Sequence, residues 1–286
     1  MVQSKVVLVT GASTGIGEAI ARRLDGRGYL VVAGIRKPED GDRLRATISD
    51  RVHPIRLDVT QPADIEVARA TLDALTGSAG LAGLVNNAGV AIGGPIEFVP
   101  VDLVRRQFEV NVFGLLAVTQ AALPFLRVGK GRIVNIGSIA GLATSPMVVP
   151  YCMSKHAVEA LTDGLRLELA DTGIEVAVIE PGAVKTPIWD KGISQLAEAG
   201  GRLPPVAIER YGRTLRFFGK LLQANNARGV PPERVADAVV HALEAHPPKT
   251  RYLVGVDAWI RSVIARLLPD RVGDALLRAA LARMLA

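Results

Sequence analysis

The amino-acid sequence predicts an α/β fold built on one open, doubly wound parallel sheet. Two observations support this prediction. Short runs rich in β-branched residues alternate along the chain with longer helical patterns, which is typical of parallel strands joined by crossover helices. These short runs are apolar at nearly every position rather than at every second one, as expected where helices cover both faces of a sheet.

Six predicted strands share this apolar character. They are "KVVLVT" (5–10), "LVVAGI" (30–35), "VHPIRL" (52–57), "GLVNN" (83–87), "RIVNIGS" (132–138) and "IEVAVIEP" (174–181). A last strand, "RYLVG" (251–255), is predicted after "PPERVADAVVHALEAH", which reads as a helix that begins at proline. Ligands of such sheets bind beyond the carboxyl ends of the strands, so the residues that follow each run are the candidates for a functional site.

Length and composition favour a single globular domain over residues 1–286. The chain is 49% apolar and 22% charged, which is enough to bury a sizeable core. The pattern changes after residue 186, where helices broken by Gly and Pro predict a substrate-side helical segment over 187–228. A C-terminal helical extension over 256–286 has apolar Ile260, Leu267 and Leu268 at helical spacing. Packing against the domain or a partner subunit is predicted for it, with a membrane surface as the alternative.

Several classes of function are disfavoured by composition. The one cysteine, Cys152, excludes an internal disulfide, and the four histidines lack ligand spacing, so no metal site is expected. The net charge is +6, but the basic residues are interleaved with acids and only 4% of residues are aromatic, which disfavours nucleic-acid binding. No uninterrupted apolar stretch approaches the ~18 to 20 residues that span a bilayer. We therefore expect a cytoplasmic protein without an integral membrane segment.

A glycine-rich stretch, "TGASTGIG" (10–17), directly follows the first predicted strand and precedes a helical run. Gly11, Gly15 and Gly17 let the backbone turn sharply and approach a pyrophosphate, while the helix N-terminus offers free N–H groups. The spacing is G-x3-G-x-G rather than the more general dinucleotide fingerprint. The stretch predicts a nucleotide loop, and a glycine-rich turn without a ligand is the alternative.

This loop, "NNAG" at 86–89, Ser138 and the pair Tyr151-x3-Lys155 together resemble the short-chain dehydrogenase/reductase superfamily. The resemblance runs in order from about residue 5 to 187 and is to the single-domain branch, in particular to its retinol and hydroxysteroid dehydrogenases. It implies a Rossmann fold and an NAD(P)-dependent enzyme. It also implies a homodimer or homotetramer assembled through helices at about 102–128 and 150–171.

The end of the second predicted strand, "VVAGIRKPED", bears on the choice of cofactor. NAD-using relatives tend to carry an acid where this chain has Ile35, and Arg36 and Lys37 follow. A guanidinium can hold a 2′-phosphate through two charge-assisted hydrogen bonds, each worth about 1.5 to 3 kcal/mol. NADP(H) is therefore favoured. In the alternative, NAD(H) is used and both cations are loop charges that face Glu39 and Asp40.

The resemblance implies further cofactor contacts. They would come from Gly11, Ser13, Thr14, Gly15, Ile16 and Gly17, from Asp58 and Val59, from Asn87, Ala88 and Gly89, from Tyr151 and Lys155, and from Pro181, Gly182, Val184 and Thr186. Asp58 would contact the adenine, and Thr186 would lie near the nicotinamide carboxamide. A cap on the helix that follows is the alternative role for Asp58.

Tyr151 and Lys155 lie one helical turn apart and so share a face. Hydride transfer at a carbonyl carbon must be matched by proton transfer at its oxygen, and a free phenol with a pKa of about 10 is a poor base near neutrality. A cation about 4 Å away would lower that pKa by roughly two to three units. The spacing therefore matches a chemical need, although such a pair on an arbitrary helix is usually surface decoration.

The resemblance assigns four catalytic positions. Tyr151 would be the general acid or base, Lys155 would also bind the nicotinamide ribose, Ser138 would hydrogen-bond the substrate oxygen, and Asn111 would hold a water that connects Lys155 to solvent. A non-catalytic cofactor sensor, the alternative, would be expected to have lost Tyr151, Lys155 or Ser138, and all three are present.

The predicted substrate contacts are mostly apolar and include no cluster of Arg or Lys. They are "GLATSPMVVP" (141–150), Ile188, Trp189, Tyr211, Phe217 and Phe218. We therefore expect an NADP(H)-dependent oxidoreductase that interconverts a lipophilic secondary alcohol and its ketone or aldehyde. An NAD(H)-dependent alcohol dehydrogenase of the same family and a cofactor sensor are the alternatives.

Overall fold

The computed structural model describes residues 5–186, 188 and 203–285, and within them seven strands form one parallel sheet. The strands are β1 (Val6–Val9), β2 (Leu30–Ile35), β3 (Val52–Arg56), β4 (Gly83–Asn86), β5 (Arg132–Ile136), β6 (Glu175–Pro181) and β7 (Arg251–Val254). Their spatial order is β3-β2-β1-β4-β5-β6-β7. The winding reverses between β1 and β4, so the predicted doubly wound α/β sheet is confirmed and a binding crevice is expected at that point.

Helices cover both faces of the sheet. In chain order they are α1 (Gly15–Gly26), α2 (Pro38–Thr47), α3 (Pro62–Thr76), α4 (Val101–Phe108), α5 (Leu115–Gly129), α6 (Val149–Glu168), α7 (Pro205–Arg228), α8 (Pro232–Glu244), α9 (Val256–Leu267) and α10 (Asp270–Leu285). Four of them, α2, α3, α7 and α8, begin at a proline. Proline suits that place because its φ is preset and its missing N–H would have no helical partner.

The core consists of two apolar layers, one on each face of the sheet. Alternate residues of β1 point to opposite layers, and all are buried. Val7 and Val9 pack in the layer that contains Ile20 and Leu24 of α1. The other layer contains Val6 and Leu8 with residues of α3, α5 and α6. Burial of each large side chain contributes about 1.5–3 kcal/mol, which explains why the predicted strands are apolar throughout.

A π-helical turn, Glu109–Gly114, joins α4 and α5 into one helical run from Val101 to Gly129. This run is the one described helix that is long and apolar enough to cross a membrane by length and composition, which the sequence expectation missed. One third of its most apolar window is buried. Val118 and Leu126 pack there against the sheet, so contacts in the core account for the apolar face that contains them.

The apolar stripe of the C-terminal extension is covered only in part by the rest of the described chain, and its packing against a partner subunit stays a prediction. Helix α9 buries the small residues Ala258 and Ser262, whereas Ile260 is 46% exposed and Leu267 is 74% exposed. Helical spacing identifies a stripe of apolar residues but not what covers it. The proposed division at 187–228 and 256–286 stays a prediction, and residues 189–202 of the first segment lie outside the described part of the chain.

Candidate active site

A cavity of about 720 Å³ lies beyond the carboxyl ends of the strands. Its walls come from the residues that follow β1, β2, β3, β4, β5 and β6, together with parts of α6, α7 and α9. All the predicted cofactor residues except Lys37 line this cavity, and Ser138 does so too. The sheet thus brings together segments that are far apart in the sequence.

The glycine loop is held against the end of β4 by a fixed set of hydrogen bonds. The Thr10 hydroxyl accepts from the backbone N–H groups of Asn87 and Ala88, each at 2.9 Å. In return, Asn87 Nδ2 donates to the carbonyls of Thr10 and Gly11, at 3.0 and 2.9 Å. The loop and the "NNAG" stretch are therefore joined into one wall.

Glycine is required in this loop for two separate reasons. Gly11 and Gly15 have φ values of +64° and +60°, a region that side chains disfavour. A Cβ atom on Gly17 would lie 2.1 Å from the Gly11 carbonyl oxygen and 2.5 Å from Asn87 Nδ2. These close contacts bring the start of α1 directly against the loop, which leaves the backbone itself as the cavity wall.

The N-terminus of α1 opens into the cavity. Thr14 is its N-cap but makes no side-chain capping bond, and Thr14, Gly15, Ile16 and Gly17 all line the wall. The first N–H groups of a helix have no partner within the helix and carry the positive end of its dipole. This arrangement fits a dinucleotide pyrophosphate.

Arg36 and Lys37, both exposed, differ in their relation to the cavity. Arg36 lines it and has no ion pair with any described carboxylate, so the alternative that it faces Glu39 or Asp40 is not supported. Lys37 is the N-cap of α2 and contributes nothing to the wall, so its predicted cofactor contact is not supported either. Arg43, which sequence reasoning missed, donates to the carbonyl of Ser13 in the glycine loop.

Asp58 lines the cavity and also fixes the turn after β3. Its Oδ1 accepts from the backbone N–H and the hydroxyl of Thr60, at 3.0 and 2.8 Å. The N-cap of α3 is Gln61, so Asp58 does not occupy the capping position considered as its alternative role.

The segment after β6 is held by α9. Gly182 and Ala183 contact Asp257 of α9, whose Oδ2 accepts from the Ala183 N–H at 2.7 Å.

Ser138, Tyr151 and Lys155 meet on the wall of the cavity, and all three are buried. The Ser138 hydroxyl accepts from the Ala140 N–H at 3.1 Å and is also hydrogen-bonded to the Tyr151 hydroxyl. Lys155 Nζ lies 5.7 Å from the centre of the Tyr151 ring and donates to the Ile136 carbonyl at 2.7 Å. The end of β5 and one turn of α6 thus place a hydroxyl, a phenol and an ammonium side by side.

Comparison with known proteins identifies the family. The sequence model described as "short chain dehydrogenase" matches residues 5–196. The chain belongs to the short-chain dehydrogenase family. An NADPH-dependent 3-dehydrocapnine reductase from Ornithobacterium rhinotracheale is 38% identical over 275 residues, which cover 94% of this chain and 95% of that protein.

Two further similar proteins agree with this assignment. Human retinol dehydrogenase 5 is 37% identical over 278 residues, which cover 95% of this chain and 87% of the relative. The crystal structure of a short-chain dehydrogenase from Streptomyces avermitilis superimposes with a TM-score of 0.76 at 33% identity, and the match covers 98% of this chain and 95% of that one. This short-chain dehydrogenase is therefore an NAD(P)-dependent oxidoreductase with a Rossmann-like fold.

The pKa of Tyr151 in this short-chain dehydrogenase differs from the sequence expectation. Burial raises the pKa of Tyr151 to about 12, and the hydrogen bond with Ser138 opposes this rise only in part. The predicted net lowering of this pKa is wrong for the protein alone, because desolvation of the phenol is the largest influence on it and Lys155 Nζ donates to the Ile136 carbonyl. Tyr151 thus keeps its proton at neutral pH.

The ammonium of Lys155 is itself destabilised by its surroundings. Burial lowers the pKa of Lys155 to about 8, and Glu159, one helical turn further along α6, opposes this. Burial also raises the pKa of Glu159 to about 7, helped by the neighbouring Glu180. Arg251 of β7 pairs with both of these carboxylates and with Asp163. A charged cluster that sequence reasoning missed therefore lies directly behind Lys155.

Asn111 lies behind the cavity rather than on its wall. It is buried within the π-helical turn, where its Oδ1 accepts from the Val90 N–H at 2.8 Å. Its Nδ2 donates to the Val90 carbonyl at 2.9 Å and to Ser154 Oγ at 3.0 Å. These bonds tie the segment after β4 to α6. The predicted role of Asn111 in holding a water next to Lys155 stays a prediction.

The wall beyond Tyr151 is mainly apolar, as predicted, but its members differ in part. Ile188 and Phe218 line it, whereas Phe217 lies in the core and Tyr211 donates to Glu97 outside the cavity. Trp189 lies outside the described residues. Sequence reasoning missed the following members of the wall: Leu221, Leu222, Asn225 and Arg261.

Proposed function

We propose that this short-chain dehydrogenase interconverts a lipophilic secondary alcohol and its carbonyl form with NADP(H). The observation that carries the proposal is the position of Ser138, Tyr151 and Lys155 in one cavity, between the dinucleotide cradle and an apolar wall. A substrate in this cavity would then lie next to both the nicotinamide, which exchanges the hydride, and a side chain that exchanges the proton. The names of two relatives, a reductase and a retinol dehydrogenase, are consistent with it.

Reduction adds a hydride to the carbonyl carbon and a proton to its oxygen, so that the C=O double bond becomes C–H and O–H. The bound nicotinamide cofactor supplies the hydride. Tyr151 donates the proton from its hydroxyl, which stays protonated at neutral pH because burial raises its pKa to about 12. The Ser138 hydroxyl donates a hydrogen bond to the same carbonyl oxygen of the substrate and so polarises the carbonyl. In the oxidative direction Tyr151 takes the proton back.

Lys155 gives the reaction a predicted pH dependence. Its pKa of about 8 means that the ammonium is present below that pH and is lost as the pH rises through it. An ammonium beside the phenol stabilises the phenolate that forms when Tyr151 donates its proton. We therefore expect kcat/KM for carbonyl reduction to fall above about pH 8. A pH profile that stays flat from 7 to 10 would contradict this role for Lys155.

NADP(H) is proposed over NAD(H) on the position of Arg36. It lines the cavity at the end of β2 without a carboxylate partner among the described residues, so it is available to a 2′-phosphate. The relative from Ornithobacterium rhinotracheale is NADPH-dependent by name. NAD(H) is the alternative cofactor, and the next experiment distinguishes the two.

Arg36→Asp is expected to weaken NADPH binding about ten- to a hundredfold, because it removes a charge-assisted contact, and to leave NADH binding equal or tighter. Lys37→Asp is a matched control, since it changes the charge equally at the next residue, which lies off the cavity wall. Titrations of both variants with NADPH and NADH, followed by tryptophan fluorescence, measure the effect. Equal losses of NADPH affinity in the two variants would show that Arg36 does not bind the 2′-phosphate.

A homo-oligomer is also proposed. Phe113, next to α5, is 53% exposed, and Leu167, near the end of α6, is 68% exposed. Large apolar residues at such positions are suited to burial in a subunit interface. We expect light scattering to give a mass of at least twice the 30.3 kDa of one chain, and Phe113→Arg with Leu167→Arg to lower it. A wild-type mass of one chain would exclude this assembly. A cytoplasmic location stays a prediction.

A further inference from the structure

Arg261 of α9 extends a guanidinium into the substrate side of the cavity. Its Nη2 donates to the Ala143 carbonyl and to the Ser145 hydroxyl, both at 2.9 Å. These acceptors belong to the loop that follows Ser138, so the cation lies on the same side of the cavity as the reacting groups. An apolar substrate has no group that would pair with this cation.

The charge of Arg261 is compensated only in part within the described chain. Its two hydrogen-bond acceptors are neutral, and it forms no ion pair with any described carboxylate. Arg251 shows the contrast, because it pairs with three carboxylates. Asp257, one helical turn before Arg261, accepts from the Ala183 N–H at 2.7 Å and does not form an ion pair with Arg261. Burial accordingly lowers the pKa of Arg261, and Cys152 and Asp257 oppose this only in part.

The surroundings of this cation make its isolation costly. Apolar side chains such as Ile188, Phe218 and Leu221 line the same cavity. A partly desolvated charge is unfavourable unless it is paired. A guanidinium carries five N–H donors, and the two hydrogen bonds to the loop both leave from Nη2. Nε and Nη1 therefore have no hydrogen-bond partner among the described residues and are available to a ligand. The planar fork of these donors matches a carboxylate or a similar oxyanion.

We propose that Arg261 binds an anionic group of the substrate, so that the molecule reduced or oxidised is an amphiphile rather than a neutral lipid. Its carbonyl or alcohol carbon lies at Tyr151, its oxyanion at Arg261, and its aliphatic part along the wall that contains Phe218 and Leu221. This inference rests on the proposed function, because it assigns the substrate class of the same cavity. Arg261 acts here in recognition, separately from the proton transfer at Tyr151.

Matched substrate pairs test the proposal. Each pair is an oxo-fatty acid and its methyl ester, for example 3-oxodecanoate and 5-oxodecanoate with their esters, assayed with NADPH. We expect the wild type to prefer the acid in at least one pair. Arg261→Gln should lower kcat/KM for that acid about ten- to a hundredfold, mainly through KM, and should leave the ester within about twofold. Arg261→Lys should retain part of the preference. Arg266 is an exposed arginine on the same helix, and Arg266→Gln is the matched control. It should leave kcat/KM unchanged for both the acid and the ester.

The outcomes separate this inference from the proposed function. Ester reduction without any preference for the acid overturns the role of Arg261 and leaves the oxidoreductase proposal intact. Equal losses for acid and ester in Arg261→Gln mean that Arg261 only clamps the loop, and they overturn it too. No turnover of any ketone refutes the proposed function itself. Should Arg261→Gln not fold, competition in the wild type decides: decanoate must inhibit ester reduction more strongly than 1-decanol does, and equal inhibition refutes the anion site.

Discussion

Tyr151→Phe is expected to abolish carbonyl reduction and to leave NADPH affinity within about twofold of the wild type. The substitution removes the hydroxyl that is hydrogen-bonded to Ser138 and keeps the ring that packs in the cavity wall. General acid catalysis by a positioned side chain contributes about 10²- to 10⁴-fold, so kcat should fall at least a hundredfold. Steady-state reduction of a panel of lipophilic ketones and a fluorescence titration with NADPH measure the two quantities.

Tyr211→Phe is the matched control for this experiment. It removes the same atom from a tyrosine of α7 whose hydroxyl donates to Glu97 at 2.8 Å, outside the cavity. We expect its kcat to stay within about twofold of the wild type. Retained turnover in Tyr151→Phe, or equal losses in both variants, would show that the Tyr151 hydroxyl is not the proton donor.

Gly17→Ala is expected to remove most of the affinity for the dinucleotide and to destabilise the fold. The new Cβ would lie 2.1 Å from the Gly11 carbonyl oxygen and 2.9 Å from its carbonyl carbon, and these backbone atoms cannot rotate away. Either α1 or the glycine loop must shift, and the pyrophosphate cradle is formed by both. Overpacking of this kind costs about 1–3 kcal/mol of the free energy of unfolding.

Gly26→Ala at the other end of α1 is the control for Gly17→Ala. A Cβ there meets no atom within 4 Å, and its φ is not in the positive range. We expect NADPH affinity to be unchanged and the free energy of unfolding to stay equal or to rise by about 0.4–1 kcal/mol. Chemical denaturation and NADPH titration of both variants give the comparison. A Gly17→Ala protein that binds NADPH like the wild type would show that the loop does not cradle the dinucleotide.

The sheet was predictable from the sequence because local pattern and tertiary environment agree there. Each predicted strand is present to within two residues of its ends, since burial on both faces requires apolar residues at every position. The glycine loop and the set of Ser138, Tyr151 and Lys155 could also be predicted, because these motifs stand in the order that the family resemblance implies. The order of the motifs thus predicts the fold and most of the residues that line the cavity.

Features that depend on contacts between distant segments were not predictable. Arg261 lies more than a hundred residues from the loop that it contacts, and no pattern in α9 marks it among the other arginines. Burial of Tyr151 reversed the expected direction of its pKa shift, because desolvation is a property of the packed cavity and not of helical spacing. Adjacency in the sequence does not distinguish Lys37 from Arg36, yet of the two only Arg36 lines the cavity.

Isotope transfer tests the central claim most directly. The wild type is supplied with NADPH that carries deuterium at the transferable position of nicotinamide C4 and with a lipophilic ketone, and the alcohol is analysed by mass spectrometry and NMR. We predict one deuterium on the former carbonyl carbon for each NADPH consumed, in a single stereochemical configuration. An alcohol without deuterium, or NADPH consumption without any alcohol, would contradict hydride transfer in this cavity.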